Sequence, residues 1–111
     1  MPLPAKIDRN SHKQDAGKRS PGHRAWVRRH ACSACGSETS IECAHVRNGT
    51  GGGIGIKPSD RWCLSLCTSC HRLQHSIGET EFERINGLNM RVIAEEFARK
   101  SPHWPKLRDM P

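Results

Sequence analysis

The stretch CAHVRNGTGGGIGIKPSDRWCLSLCTSCHRLQH, residues 43–75, decides the fold of this 111-residue chain. It begins at the end of "TSIECAHV" (Thr39 to Val46), a short, partly β-branched segment that reads as a strand. It ends on "RWCLSL", a second strand, which runs into "CTSCHRLQHSIG", a Cys-x-x-Cys turn opening a short helix with Gly78 as its C-cap. Between the strands, Gly49 to Pro58 holds five Gly and one Pro, too many for a regular element.

Working outward, the turn at Cys67 and Cys70 has a counterpart in Cys32-Ser-Ala-Cys35, with 31 residues between Cys35 and Cys67. Each pair places two thiolates on one tight turn, and two such turns supply the tetrahedral sulfur set of a structural zinc. Zinc would contribute folding free energy directly. A disulfide scaffold is the rival reading, and a reducing compartment disfavours it. Cys43 and Cys63, one per strand, read as small buried hydrophobes. Cys43 shares a strand face with His45, which leaves a metal role open for it.

Further along, Thr80 is positioned to cap a short helix, "EFERI", that Asn86-Gly87 ends. Asn89 can cap a last helix from Met90 to Lys100. There Met90, Ile93, Ala94, Phe97 and Ala98 recur at helical spacing and form a stripe suited to core packing. Ser101-Pro102 stops it. Upstream, residues 1–22 are polar, basic and without apolar periodicity, and read as a disordered arm, with order beginning near Trp26. Residues 23–111 form the one domain.

Hydrophobic residues make up 34 % of the chain, against roughly 45–50 % apolar in ordinary domains. A core of this size needs a staple. The net charge is +7, and residues 1–30 carry most of it: eight Lys or Arg against two Asp, a net of +6. An arm of that kind suits a polyanion, since each cation on a phosphate releases a condensed counterion. A solvated tail is the plainer alternative. No run approaches ~18 apolar residues, so no membrane span is expected. The first thirty residues do not resemble a secretory signal, so the expected compartment is the cytoplasm. The Gly-rich loop lacks the Lys-Ser/Thr of a P-loop and the spacing of a dinucleotide fingerprint. It can still bring backbone close to phosphates.

Seven His are present. His71 and His75 stand four apart on one helix face, where they could grip one metal. His45 ends the first strand. A His closing one strand, a second strand, and a helix opening with Cys-x-x-Cys-His and a further His together resemble the HNH, or His-Me finger, nucleases. The similarity runs from about His30 to Glu83, and the string quoted above is most like small prophage-encoded nucleases of the recombination-enhancement group.

The resemblance implies an α+β, zinc-stapled ββα-metal domain with C-terminal helices. It implies His45 as general base, His71 and His75 as ligands of a catalytic Mg²⁺ or Mn²⁺, and Cys32, Cys35, Cys67 and Cys70 as ligands of a structural Zn²⁺. Asp60 falls at an acidic position these nucleases share; it or a backbone carbonyl could hold the His45 tautomer. The residue before His45 is Ala44, so phosphate, water, Asp60 or Glu42 would complete the metal shell. Arg47, Lys57, Arg61 and Arg72 are candidate phosphate clamps. Lys18, Arg19, Arg28 and Arg29 would add sequence-independent affinity.

The implied activity is hydrolysis of DNA with little sequence specificity, in a bacterial host cell, with a recombination protein as a further partner. A non-catalytic zinc-stapled nucleic-acid-binding module and a phage adaptor are the alternative readings.

Overall fold

The computed structural model describes residues 17–50 and 57–111. Among these, the elements run α1 (Pro21–Val27), β1 (Ile41–His45), β2 (Cys63–Cys67), α2 (Thr68–Ile77), α3 (Glu79–Asn86), α4 (Met90–Lys100) and α5 (Trp104–Leu107). The class is α+β, as the sequence predicts. None of these helices is long and apolar enough to cross a membrane.

The strands pair antiparallel, with Ile41 opposite Cys67, Ala44 opposite Leu64 and His45 opposite Cys63. Alternation along a strand sends Ala44, Leu64 and Leu66 to one face, where they are buried with Phe82 of α3 and with Met90 and Ala94 of α4. Cys43, His45, Cys63 and Ser65 fall on the other face by the same alternation. Burial of each large side chain in the core contributes about 1.5–3 kcal/mol. Few such chains are present.

Local signals place the helices. The Cys67 sulfur accepts from the Cys70 amide at 3.5 Å and caps α2, and Gly78, at φ 88°, ends it. Asn89 caps α4 by accepting from the Val92 amide at 3.1 Å. Met90, Ala94 and Ala98 of the α4 stripe are fully buried, with Ile93 and Phe97 at its margin. Leu107 and Met110 close a second small cluster on Ala98.

Two expectations are corrected. Thr80 does not cap α3, which already begins at Glu79 and follows Gly78 without a side-chain cap. The arm boundary at residue 22 cuts into a helix. Ser20 accepts from the His23 amide at 3.3 Å and Pro21 opens α1, so residues 18–22 belong to the fold. A Ser-Pro start is an N-terminal signature that a purely compositional reading of a basic segment overlooks. The rest of the arm, residues 1–16, and positions 51–56 of the Gly-rich loop lie outside the described residues.

Candidate metal and phosphodiester site

The sulfurs of Cys32, Cys35, Cys67 and Cys70 all lie within 4.8 Å of one another, with Cys35 and Cys67 at 3.7 Å. Zinc–sulfur bonds of ~2.3 Å in a tetrahedron require sulfurs about 3.8 Å apart. Amides of Ala34 and Cys35 point at the Cys32 sulfur at 3.4 and 3.5 Å. Burial pushes the Cys32 thiol up, and the backbone N–H groups around it outweigh that and bring it to about 6. The four cysteines can therefore hold a metal such as zinc. They tie the loop before β1 to the junction of β2 and α2.

His45 closes β1, and its Nε2 lies 2.8 Å from Asp60 Oδ1. Asp60 has no solvent exposure. Its Oδ2 accepts from the Ser20 amide at 2.7 Å and from the Arg24 guanidinium, and Oδ1 also accepts from Arg19 at 3.3 Å. Burial pushes the Asp60 carboxyl up, but the hydrogen bonds from His45 and Ser20 and the charge of Arg24 outweigh it, leaving the group at about 2. An ionised Asp60 makes Nε2 the protonated nitrogen of neutral His45 and leaves Nδ1 with the lone pair.

The Cys63 sulfur also lies within 4.8 Å of His45 and Asp60. The neighbouring Cys43 thiol, together with burial, pushes the Cys63 thiol well up. Both Asp60 oxygens are already engaged by donors. This trio is a hydrogen-bonded hub with a protonated thiol at its edge.

His71 and His75 project from one face of α2 with their Nε2 atoms 3.2 Å apart. Two imidazoles bound to one ion at ~2.0–2.1 Å place their nitrogens about 2.9–3.4 Å apart, for octahedral or tetrahedral angles. His71 Nδ1 lies 2.7 Å from Glu42 Oε1. The hydrogen bond from His71, followed by that from Thr68, holds the Glu42 carboxyl below its usual range. A carboxylate on the far nitrogen is the partner that orients a metal-bound His. Glu42 thus stands behind His71, and Asp60 is committed to His45 and α1.

His45, His71 and His75 line one cavity of about 480 Å³, with Glu42, Cys43, Arg24, Arg28, Arg47 and Lys57 in its wall. Arg28, Arg47 and Lys57 are exposed there, as a phosphate-facing role requires. Other predicted clamps fall elsewhere. Arg61 reaches Glu95 at 3.0 Å and lies over the rings of Trp62 and Trp104. Arg19 is drawn to Asp60 and to the Pro58 carbonyl at 2.8 Å. Arg72 and Arg29 are exposed and Lys18 is half-buried, and none of the three lines the cavity. For Arg61 and Arg19 the reason is electrostatic: a carboxylate or carbonyl within reach competes for the guanidinium.

Arg24 is the site residue that the sequence reading misses. Its signal was the Ser20-Pro21 helix start, which sets Arg24 and Arg28 four apart on one helical face.

No curated protein and no solved structure matches the chain. One family model does, over residues 12–101, a span that takes in the four cysteines, the three histidines, Asp60 and Arg24. The chain belongs to the family described as "Protein of unknown function (DUF968)".

Proposed function

We propose that this chain is a metal-dependent endonuclease of the HNH type that hydrolyses DNA phosphodiester bonds with little sequence specificity. The observation that carries the reading is the sharing of one basic cavity by His45, backed by Asp60, and the paired Nε2 atoms of His71 and His75.

In this reading His45 takes the proton from the attacking water at Nδ1, while Asp60 fixes the ring and stabilises the imidazolium that forms. His71 and His75 would hold a divalent ion such as Mg²⁺ or Mn²⁺, which when bound would supply Lewis-acid polarisation of the phosphate. Glu42 orients His71. Arg28, Arg47 and Lys57 bind backbone phosphates, which carry no base information and so support weak specificity. Zinc on Cys32, Cys35, Cys67 and Cys70 staples the scaffold. A recombination protein acting on the same DNA is the further partner this reading suggests.

Plasmid nicking with Mg²⁺ or Mn²⁺, with EDTA as control, tests the proposal. His45→Ala should lower the rate by ~10²–10⁴-fold. Zinc content and DNA affinity should stay near wild type, because Asp60 keeps three other donors. If wild-type protein cuts neither single- nor double-stranded DNA with any divalent ion, the basic cavity is that of a zinc-stapled binding module.

A further inference from the structure

The geometry points to Arg24 as a bridging residue, one that contacts a nucleic-acid backbone phosphate and at the same time positions the His45–Asp60 pair, so that helix α1 is part of the active centre. The positioning half rests on the proposed nuclease function; the phosphate contact does not.

Arg24 lies in the last turn of the short helix α1, which the Ser20 cap and Pro21 hold in place. Its NH1 group donates to Asp60 Oδ2, and Asp60 is the only hydrogen-bond partner of this guanidinium among the described residues. The side chain keeps 30 % of its exposure, whereas Asp60 keeps none. The guanidinium also forms part of the cavity wall that carries His45, His71 and His75. One edge of the fork is spent on Asp60, and no other described residue accepts from its remaining N–H donors, which a ligand in the cavity could engage.

Charge balance favours an anion there. Asp60 contributes one negative charge and meets two guanidinia, Arg19 and Arg24. Of the two, Arg24 is the one that lines the cavity, whose wall also carries Arg28 and Lys57 against a single carboxylate, Glu42. Arg28 lies one turn further along the same face. A planar guanidinium can hold a carboxylate on one edge and a phosphate on another; an ammonium is a point charge and cannot keep both geometries. A phosphate seated on Arg24 would therefore be placed in fixed relation to Asp60, and through it to His45.

The test uses the full-length, zinc-loaded protein and a short labelled DNA duplex, with affinity followed against salt. Arg24→Gln should lower the salt slope by ~0.9, so that wild type loses roughly 3.5-fold more affinity than the variant between ~50 and ~200 mM salt. Arg24→Lys should keep the wild-type slope. In nicking assays both variants should lose kcat, by ~10²-fold for misplacement of the reacting groups, with zinc content unchanged.

Arg84→Gln is the charge-matched control, because Arg84 pairs with Glu81 on α3 outside the cavity. An unchanged slope in Arg24→Gln, an equal fall in Arg84→Gln, or full kcat in Arg24→Lys overturns the proposal. A wild-type protein that binds but does not nick sinks the nuclease reading alone, and the slope still decides whether Arg24 touches phosphate.

Discussion

Replacing Asp60 by Asn removes one charge and two lone-pair positions from the most heavily bonded side chain of the site. Four donors converge on the carboxylate: His45 Nε2, the Ser20 amide, Arg19 and Arg24. The structure sets the scale. A carboxyl held at about 2 instead of its ordinary 3.8 has its ionised form favoured by roughly 2 kcal/mol. The Asn amide N–H₂ must also face two of the four donors, which leaves at least one buried donor unpaired at about 1–3 kcal/mol.

Together these give a loss of roughly 3–5 kcal/mol, the range found when one partner of a buried ion pair is removed. The sign with pH follows from the lowered carboxyl. Its contribution is whole above about pH 4 and is lost as the pH falls through about 2. Urea unfolding followed by tryptophan fluorescence, with zinc and reductant present, should show a lower midpoint for Asp60→Asn at an unchanged slope. An Asp60→Asn protein within about 0.5 kcal/mol of wild type at neutral pH would refute the claim that Asp60 clamps α1 to the hairpin.

Three further predictions concern other parts of the molecule. Cys67→Ser should lose bound zinc by elemental analysis and unfold, because it removes one of the four thiolate ligands, although the serine hydroxyl can still cap α2; Cys63→Ser, outside the four-sulfur cluster, should keep its zinc. Glu42→Gln should weaken Mn²⁺ binding at His71 and His75 by ~10–100-fold, read by titration calorimetry, since the carboxylate orients His71; equal affinity in the two proteins would remove Glu42 from the site. His23 is fully buried, and burial, against the charge of Asp60, lowers it to about 4. The unfolded chain takes up this proton near its ordinary 6.5, so stability should fall with acidification, by roughly 2 kcal/mol between about pH 6.5 and 5. His23→Gln should not share that loss, and superimposable pH profiles of the two urea midpoints would disprove the assignment.

Local chemistry made much of this protein legible from its residues. Asn89 caps α4, Gly78 stops α2, and the Met90 stripe faces the core, because caps, glycine φ and helical period act within a few residues. The two Cys-x-x-Cys turns announced a four-sulfur cluster for the same reason: each turn is local, and four thiolates have few other compact uses in a chain with so small a core. The spacing of His71 and His75 already placed them on one helix face. The ion pairs that form across long sequence distances were not legible.

Arg61 looked like a phosphate clamp until the fold set Glu95, 34 residues away, against it. Arg24 looked like arm charge until α1 brought it to Asp60, 36 residues on. A long cation is decided by the nearest unpaired acceptor in space, and composition does not order those acceptors. What the sequence determined by itself is therefore the set of local ligand pairs and helix ends. The tertiary structure alone decided which cations pair with Asp60 and Glu95 and which reach the cavity wall, because burial and charge pairing act through distances that only folding creates.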